Sequence, residues 1–83
     1  MLKLLVADDE RIIREAVCYL IDWKSIGIEL AASCKNGLEA YEEASRIKPD
    51  IILTDIKMPG LSGLDLVEKL SEPGRVLEFI LLT

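Results

Sequence analysis

Apolar runs alternate along this chain with segments of helical period, and that alternation limits the possible folds more than any single motif does. Residues 2–7, LKLLVA, are almost continuously apolar, the pattern of a strand covered on both faces. In the following DDERIIREAVCYLIDW, Ile12, Ile13, Ala16, Val17, Leu20 and Ile21 recur at helical spacing with charges between them. Gly27 breaks the chain, and IELAASC reads as a second strand. Asn36, with Glu39 three positions on, begins a helix over GLEAYEEASRI that Lys48 and Pro49 stop. DIILT is a third strand. Ser62 and Asp65 have capping-box spacing ahead of Leu64, Val67 and Leu70, and EPG at 72–74 closes a third helix. RVLEFILLT reads as a fourth strand.

The order βαβαβαβ, without internal repeats or low-complexity linkers, predicts an α/β fold with a parallel sheet and helices on its faces. Right-handed crossovers leave few arrangements. With the first strand central, the order 2-1-3-4 puts a topological switch point between strands one and three, and ligands of such folds bind in the crevice outside the carboxyl ends of those strands.

Acids stand at both ends of that crevice. Asp8 and Asp9 follow the first strand and Asp55 follows the third, so residues 46 apart in sequence (55 minus 9) are predicted to meet. Asp9 and Glu10 at a helix start serve equally well as capping and dipole partners, and Asp55 as a turn residue. The conjunction of acids at two strand ends, joined by a topology read from other residues, favours a cation site. Two unit charges about 4 Å apart repel by about 1 kcal/mol in water and about 4 kcal/mol at an effective dielectric of 20, so such a cluster favours protonation or a bound cation. An oxygen-only site with room for waters suits Mg²⁺. Asp55 is then the candidate nucleophile, since a carboxylate beside a metal attacks phosphorus once the metal neutralises the phosphoryl oxygens, giving an acyl phosphate. Lys57, Met58, Pro59 and Gly60 form the tight loop just beyond it, and Pro59 favours an extended residue before it.

Composition excludes several classes. At 83 residues the chain makes one small domain, and 51% hydrophobic with 30% charged residues is globular composition with no run long enough to cross a bilayer. The start MLKLLVADDE lacks a small-residue cleavage site, so a signal peptide is not expected and the cytoplasm is. A net charge of -5 without a Lys/Arg cluster argues against nucleic-acid binding by this segment, and two unclustered cysteines with no histidine argue against zinc. Cys18 and Cys34 are expected as free, packed thiols. Trp23, Tyr19 and Tyr41 are expected against the sheet or at its margin.

The segments LLVADDE, PDIILTDIKMPGLSGLDL and ILLT resemble the receiver domain of two-component response regulators, in the order and spacing of that family and over the whole chain. The resemblance implies a flavodoxin-like fold and a phosphoacceptor domain rather than an enzyme in its own right. Asp55 would take the phosphoryl group from a sensor histidine kinase. Asp9 would bind Mg²⁺ directly, Asp8 through water or in support, and the main-chain carbonyl of Lys57 would complete the protein ligands. Thr83 matches the family's switch hydroxyl. The stretch DDERIIREAVCYLIDWKSIGIELAASCKNGLEAYE is further similar to receivers that precede an AraC-type helix-turn-helix domain, so a transcription regulator is the implied parent.

The family's receiver continues past Thr83 through a further helix, strand and helix, and that strand delivers a Lys to the phosphoryl group. Residues 1–83 are on this comparison a receiver truncated after its fourth strand. Without that Lys, slow phosphorylation and an uncoupled switch are expected. An unpaired, uncovered strand LEFILLT is expected to recruit another chain, by strand pairing or by exchange of elements. Two rivals stand beside this. An aspartyl-phosphate phosphatase wants a general acid two residues past its nucleophile, where this chain has Lys57. An inert, oligomerising fragment of a receiver is equally compatible with the sequence.

Overall fold

The computed structural model describes residues 1–82. The elements run β1 (Leu2–Ala7), α1 (Arg11–Tyr19), a 3-10 turn (Trp23–Ile26), β2 (Ile28–Cys34), α2 (Gly37–Ile47), β3 (Ile51–Asp55), α3 (Gly63–Leu70) and β4 (Glu78–Leu82). All pairings are parallel, and the four strands are ordered β2-β1-β3-β4, as the alternation of elements predicts.

The caps do what the sequence says. The Asn36 side chain accepts the Glu39 N–H at 2.8 Å, and Lys48 closes α2 in a left-handed conformation. At α3 the capping box is complete: Ser62 Oγ accepts the Asp65 N–H at 3.1 Å and Asp65 Oδ2 accepts the Ser62 N–H at 2.9 Å. The hydrogen bond donated by the Ser62 main-chain N–H, and secondarily the Ser62 hydroxyl, hold the Asp65 carboxyl below the usual carboxylate range.

The pleat divides the core between two faces. Leu5, Ala7 and Ile52 face α2 and α3, where they pack with Cys34, Ala40, Ala44, Met58, Leu66 and Leu70. Leu4, Val6 and Leu53 face α1, where they pack with Cys18, Val17 and Trp23. The two thiols are therefore free, buried and in separate clusters. Burial, and then the nearby Glu39 and Glu43 charges, push the Cys34 thiol up to about 12, so it is not a nucleophile at neutral pH.

Within β2 the pairing with β1 steps by one residue: Leu4 lies opposite Leu30 but Leu5 opposite Ala32, leaving Ala31 as an extra residue. Ile28 and Leu30 accordingly pack with the α1-side cluster, whereas Ala32 and Cys34 pack with the other. Plain alternation through IELAASC would put all four on one face.

Three elements differ from the sequence expectation. The helical pattern of residues 8–23 yields α1 only over Arg11–Tyr19, followed by the 3-10 turn. Its inward side is built on Cys18, with Arg14 and Val17 half-buried, while Ile12 and Leu20 are each 84% exposed. Arg14 takes an inward place because its Nη1 donates to the Asp8 main-chain oxygen at 2.8 Å. In α3 the residue driven fully into the core is Leu66 rather than Leu64, which is exposed. β4 begins at Glu78 instead of Arg75, whose Nη2 is held by the Pro49 carbonyl at 3.0 Å. Tyr41 packs against the core at its margin and Trp23 lies under α1, its indole N–H donating to Val17 O at 2.9 Å, but Tyr19 points into solvent. Among the described residues, no helix is long and apolar enough to cross a membrane.

Candidate functional site

The register between β1 and β3 runs from Leu4 opposite Ile51 to Ala7 opposite Thr54. One residue further, Asp8 and Asp55 come level at the carboxyl edge of the sheet. Parity then fixes their face: residues 4, 6 and 8 on one strand and 51, 53 and 55 on the other all point toward α1. β3 ends on Asp55 itself rather than on Thr54, because Asp55 still pairs with Leu82 of β4. Carboxylate oxygens of Asp8, Asp9 and Asp55 lie within 4.8 Å of one another.

Asp8 is 3% exposed, Asp55 is half-buried and Asp9 is exposed, so the cluster grades from the interior to solvent. Burial is the main influence raising the Asp8 carboxyl above the usual range; the hydrogen bond from the Glu10 N–H, 2.9 Å, opposes it, and the Asp55 and Asp9 charges add to the rise. The open cleft beside the cluster, about 430 Å³, is lined by Asp9, Glu10, Asp55, Ile56 and Lys57. The simple capping role is not used: Glu10 sits at the N-cap of α1 without a side-chain cap bond, and the first turn carries no acid.

The donor set suits a hard divalent cation. It is oxygen only, and the ion pairs among the described residues, Arg11 with Glu15 and Arg46 with Glu43, leave all three acids unpaired. Arg14 bonds the Asp8 main chain, not its carboxylate.

Because folding without a cation favours the protonated Asp8, this group stabilises the fold at low pH and loses that contribution as pH rises through its elevated value. Asp8→Asn keeps an acceptor for the Glu10 N–H and removes one repelling charge. It is expected to raise cation-free stability at pH 7 by about 1 kcal/mol, the repulsion of unit charges about 4 Å apart in water. Urea unfolding in EDTA checks this, and a lower midpoint than wild type would contradict it.

The loop after β3 is pinned from below and from both ends. Met58 is buried in the core, with its Sδ 3.9 Å from the Thr54 hydroxyl. The Gly63 N–H donates to Ile56 O at 2.8 Å, and a Cβ on Gly63 would lie only 2.4 Å from the main-chain oxygen of Asp55. Gly60 turns the loop with a φ of 78°, a conformation in which other side chains are strained.

Sequence reasoning names Asp8, Asp9, Asp55 and Lys57; Asp9, Asp55 and Lys57 line this cleft, and the buried Asp8 carboxylate joins Asp9 and Asp55 in the cluster beside it. Thr83 lies outside the described residues. Arg14, Met58 and Gly63 were missed. The sequence marks Arg14 only as one of the charges between the apolar positions of its helix, and Met58 only as a member of the tight loop.

Similarity to known proteins agrees with this geometry. Residues 4–83 match the response regulator receiver domain family. The chain is 45% identical over 83 residues to the uncharacterized transcriptional regulatory protein YesN of Bacillus subtilis, covering all of this chain and 23% of that protein. It superposes on a two component transcriptional regulator AraC from Clostridium phytofermentans with a TM-score of 0.87 and 27% identity, covering 98% of this chain and 63% of that one. On the REC domain of AraT, a response regulator from Geobacillus stearothermophilus, the TM-score is 0.78 at 32% identity, covering 96% and 80%. The chain thus spans about a quarter of the curated relative's length. With strand order, acid cluster and sequence match in agreement over nearly its full length, the chain belongs to the response regulator receiver domain family.

Proposed function

We propose that residues 1–83 act as one phosphoacceptor signalling unit in which Asp55 receives a phosphoryl group from a sensor histidine kinase. The observation that carries this is the convergence of the Asp8, Asp9 and Asp55 carboxylates within 4.8 Å beside an open cleft. Asp8, Asp9, Asp55 and the main-chain carbonyl of Lys57 hold Mg²⁺. When bound, the ion neutralises the phosphoryl oxygens. A carboxylate oxygen of Asp55 forms the new P–O bond as the P–N bond to the donor histidine breaks, and the released imidazole nitrogen takes up a proton from solvent. Thr83 supplies the hydroxyl that follows the phosphoryl group. The chain catalyses at most its own phosphorylation and dephosphorylation, in the cytoplasm.

Its similarity to YesN and to the Clostridium regulator supports a transcription regulator as the parent. DNA binding then belongs elsewhere in the parent, since this segment carries a net charge of -5. The test is intact mass after incubation with Mg²⁺ and acetyl phosphate. A gain of one phosphoryl group that requires Mg²⁺ supports the proposal, whereas no gain favours the inert-fragment alternative.

A second element concerns assembly. Among the described residues β4 pairs on one side only, and Ile80 and Leu81 are 45% and 38% exposed. The 83-residue chain self-associates on this proposal, β4 against β4 of a second copy or by exchange of elements. Light scattering is expected to give a dimer or larger species; a folded monomer at high concentration would end the idea.

A further inference from the structure

The loop of residues 56–62 carries Lys57 at the cleft and then passes over the start of α2. There a Cβ on Gly37 would lie 1.9 Å from the main-chain oxygen of Leu61 and 2.7 Å from its carbonyl carbon and its Cβ. No side chain fits at that distance from main-chain atoms. Gly37 is buried, and it is not among the residues of positive φ, so it is space rather than backbone freedom that calls for glycine. At the loop's other end Gly63 lies against the Asp55 main chain and bonds Ile56 O at 2.8 Å. Between these two contacts Met58 is sunk in the core. A displacement at Leu61 therefore has little slack to absorb it before it reaches Lys57.

We infer that Gly37, on a helix outside the acid cleft, is a positioning residue for the cation site: it seats Leu61 on α2 and so fixes where the Lys57 carbonyl stands relative to Asp55. The inference rests on the Mg²⁺ site proposed above. It is tested by Mg²⁺ titration of the ¹⁵N-labelled 83-residue chain, following amide resonances. Gly37→Ala is expected to displace the resonances of Lys57, Met58 and Leu61 before any metal is added. It is further expected to weaken Mg²⁺ binding about tenfold or more, as loss of outer-shell support commonly does. Ser45→Gly, at an exposed position of α2 outside the cluster that holds Met58, loosens the helix and should lower the melting temperature while leaving the Mg²⁺ affinity within about twofold.

Equal Mg²⁺ affinity in Gly37→Ala and wild type overturns the inference. So does an equal weakening by Ser45→Gly, which would mark the effect as one of stability alone. If Gly37→Ala does not fold, Asn36→Ala replaces it: losing the cap on the same turn should shift the Leu61 amide and lower affinity about threefold. Unchanged shifts and affinity in that variant overturn the inference. Absence of saturable Mg²⁺ shifts at Asp9 and Asp55 in wild type removes the proposed cation site itself, and the inference with it. That failure is distinct from one in which wild type binds and the variants bind equally well.

Discussion

Asp55→Asn is expected to abolish acetyl phosphate-dependent mass gain completely, with the fold intact. Asn preserves the shape of the side chain at the end of β3 but lacks the anionic oxygen that attacks phosphorus. It also removes one of three mutually repelling acids, so the variant should be at least as stable as wild type without a cation. Loss of reaction together with retained or raised stability is a combination that misfolding does not produce. Intact mass and circular dichroism on the same sample read both. A phosphoryl group appearing on the Asn variant would move the acceptor to another side chain and undo the proposed role of Asp55.

Leu66→Ala is expected to be among the most damaging conservative truncations, with those at the equally buried Leu4, Leu5 and Ile52. Leu66 is 0% exposed, in the cluster that joins α2 and α3 to β1 and β3. Such truncations cost about 2–5 kcal/mol. A chain of 83 residues has about 4–12 kcal/mol of total stability, at about 0.05–0.15 kcal/mol per residue, so from about a sixth to all of it is at stake. Leu64→Ala, two positions away and 56% exposed, should change stability by less than about 0.5 kcal/mol. Urea unfolding of the two variants separates them, and similar midpoints would mean that α3 is not docked through Leu66.

The pair Leu64 and Leu66 shows what the sequence discloses. Apolar runs, caps and breakers are local signals, and they placed β1, β2, α2 and the α3 capping box within a residue or two. Meeting of Asp8, Asp9 and Asp55 was also legible, because strand ends are marked by acids and the crossover rule leaves few topologies. Facing was not. Whether Leu64 or Leu66 enters the core depends on how α3 docks, and α1 turns Arg14 inward while Ile12 points out. Periodicity defines a stripe but not its azimuth against a sheet that is itself formed by distant residues. The contact of Gly37 with Leu61 is equally silent in sequence, since nothing local marks a glycine chosen for a neighbour 24 positions away (61 minus 37).

The unpaired Ala31 in β2 has a consequence for which length changes the protein tolerates. An outermost strand with a single hydrogen-bonded neighbour is the part of a sheet where an inserted or lost residue is usually absorbed. Ala31 is such an absorbed residue: with it set aside, Leu30 and Ala32 stand opposite the neighbouring Leu4 and Leu5 and face opposite sides of the sheet as those do. Excising Ala31 would make the pleat regular and leave Ile28 and Leu30 on one face and Ala32 and Cys34 on the other, because the pairing with β1 already passes over it. The rim of this sheet thus tolerates loss of a residue at Ala31, whereas loss of a paired residue such as Leu30 or Ala32 would carry side chains beyond it to the opposite face unless Ala31 took its place in the pairing.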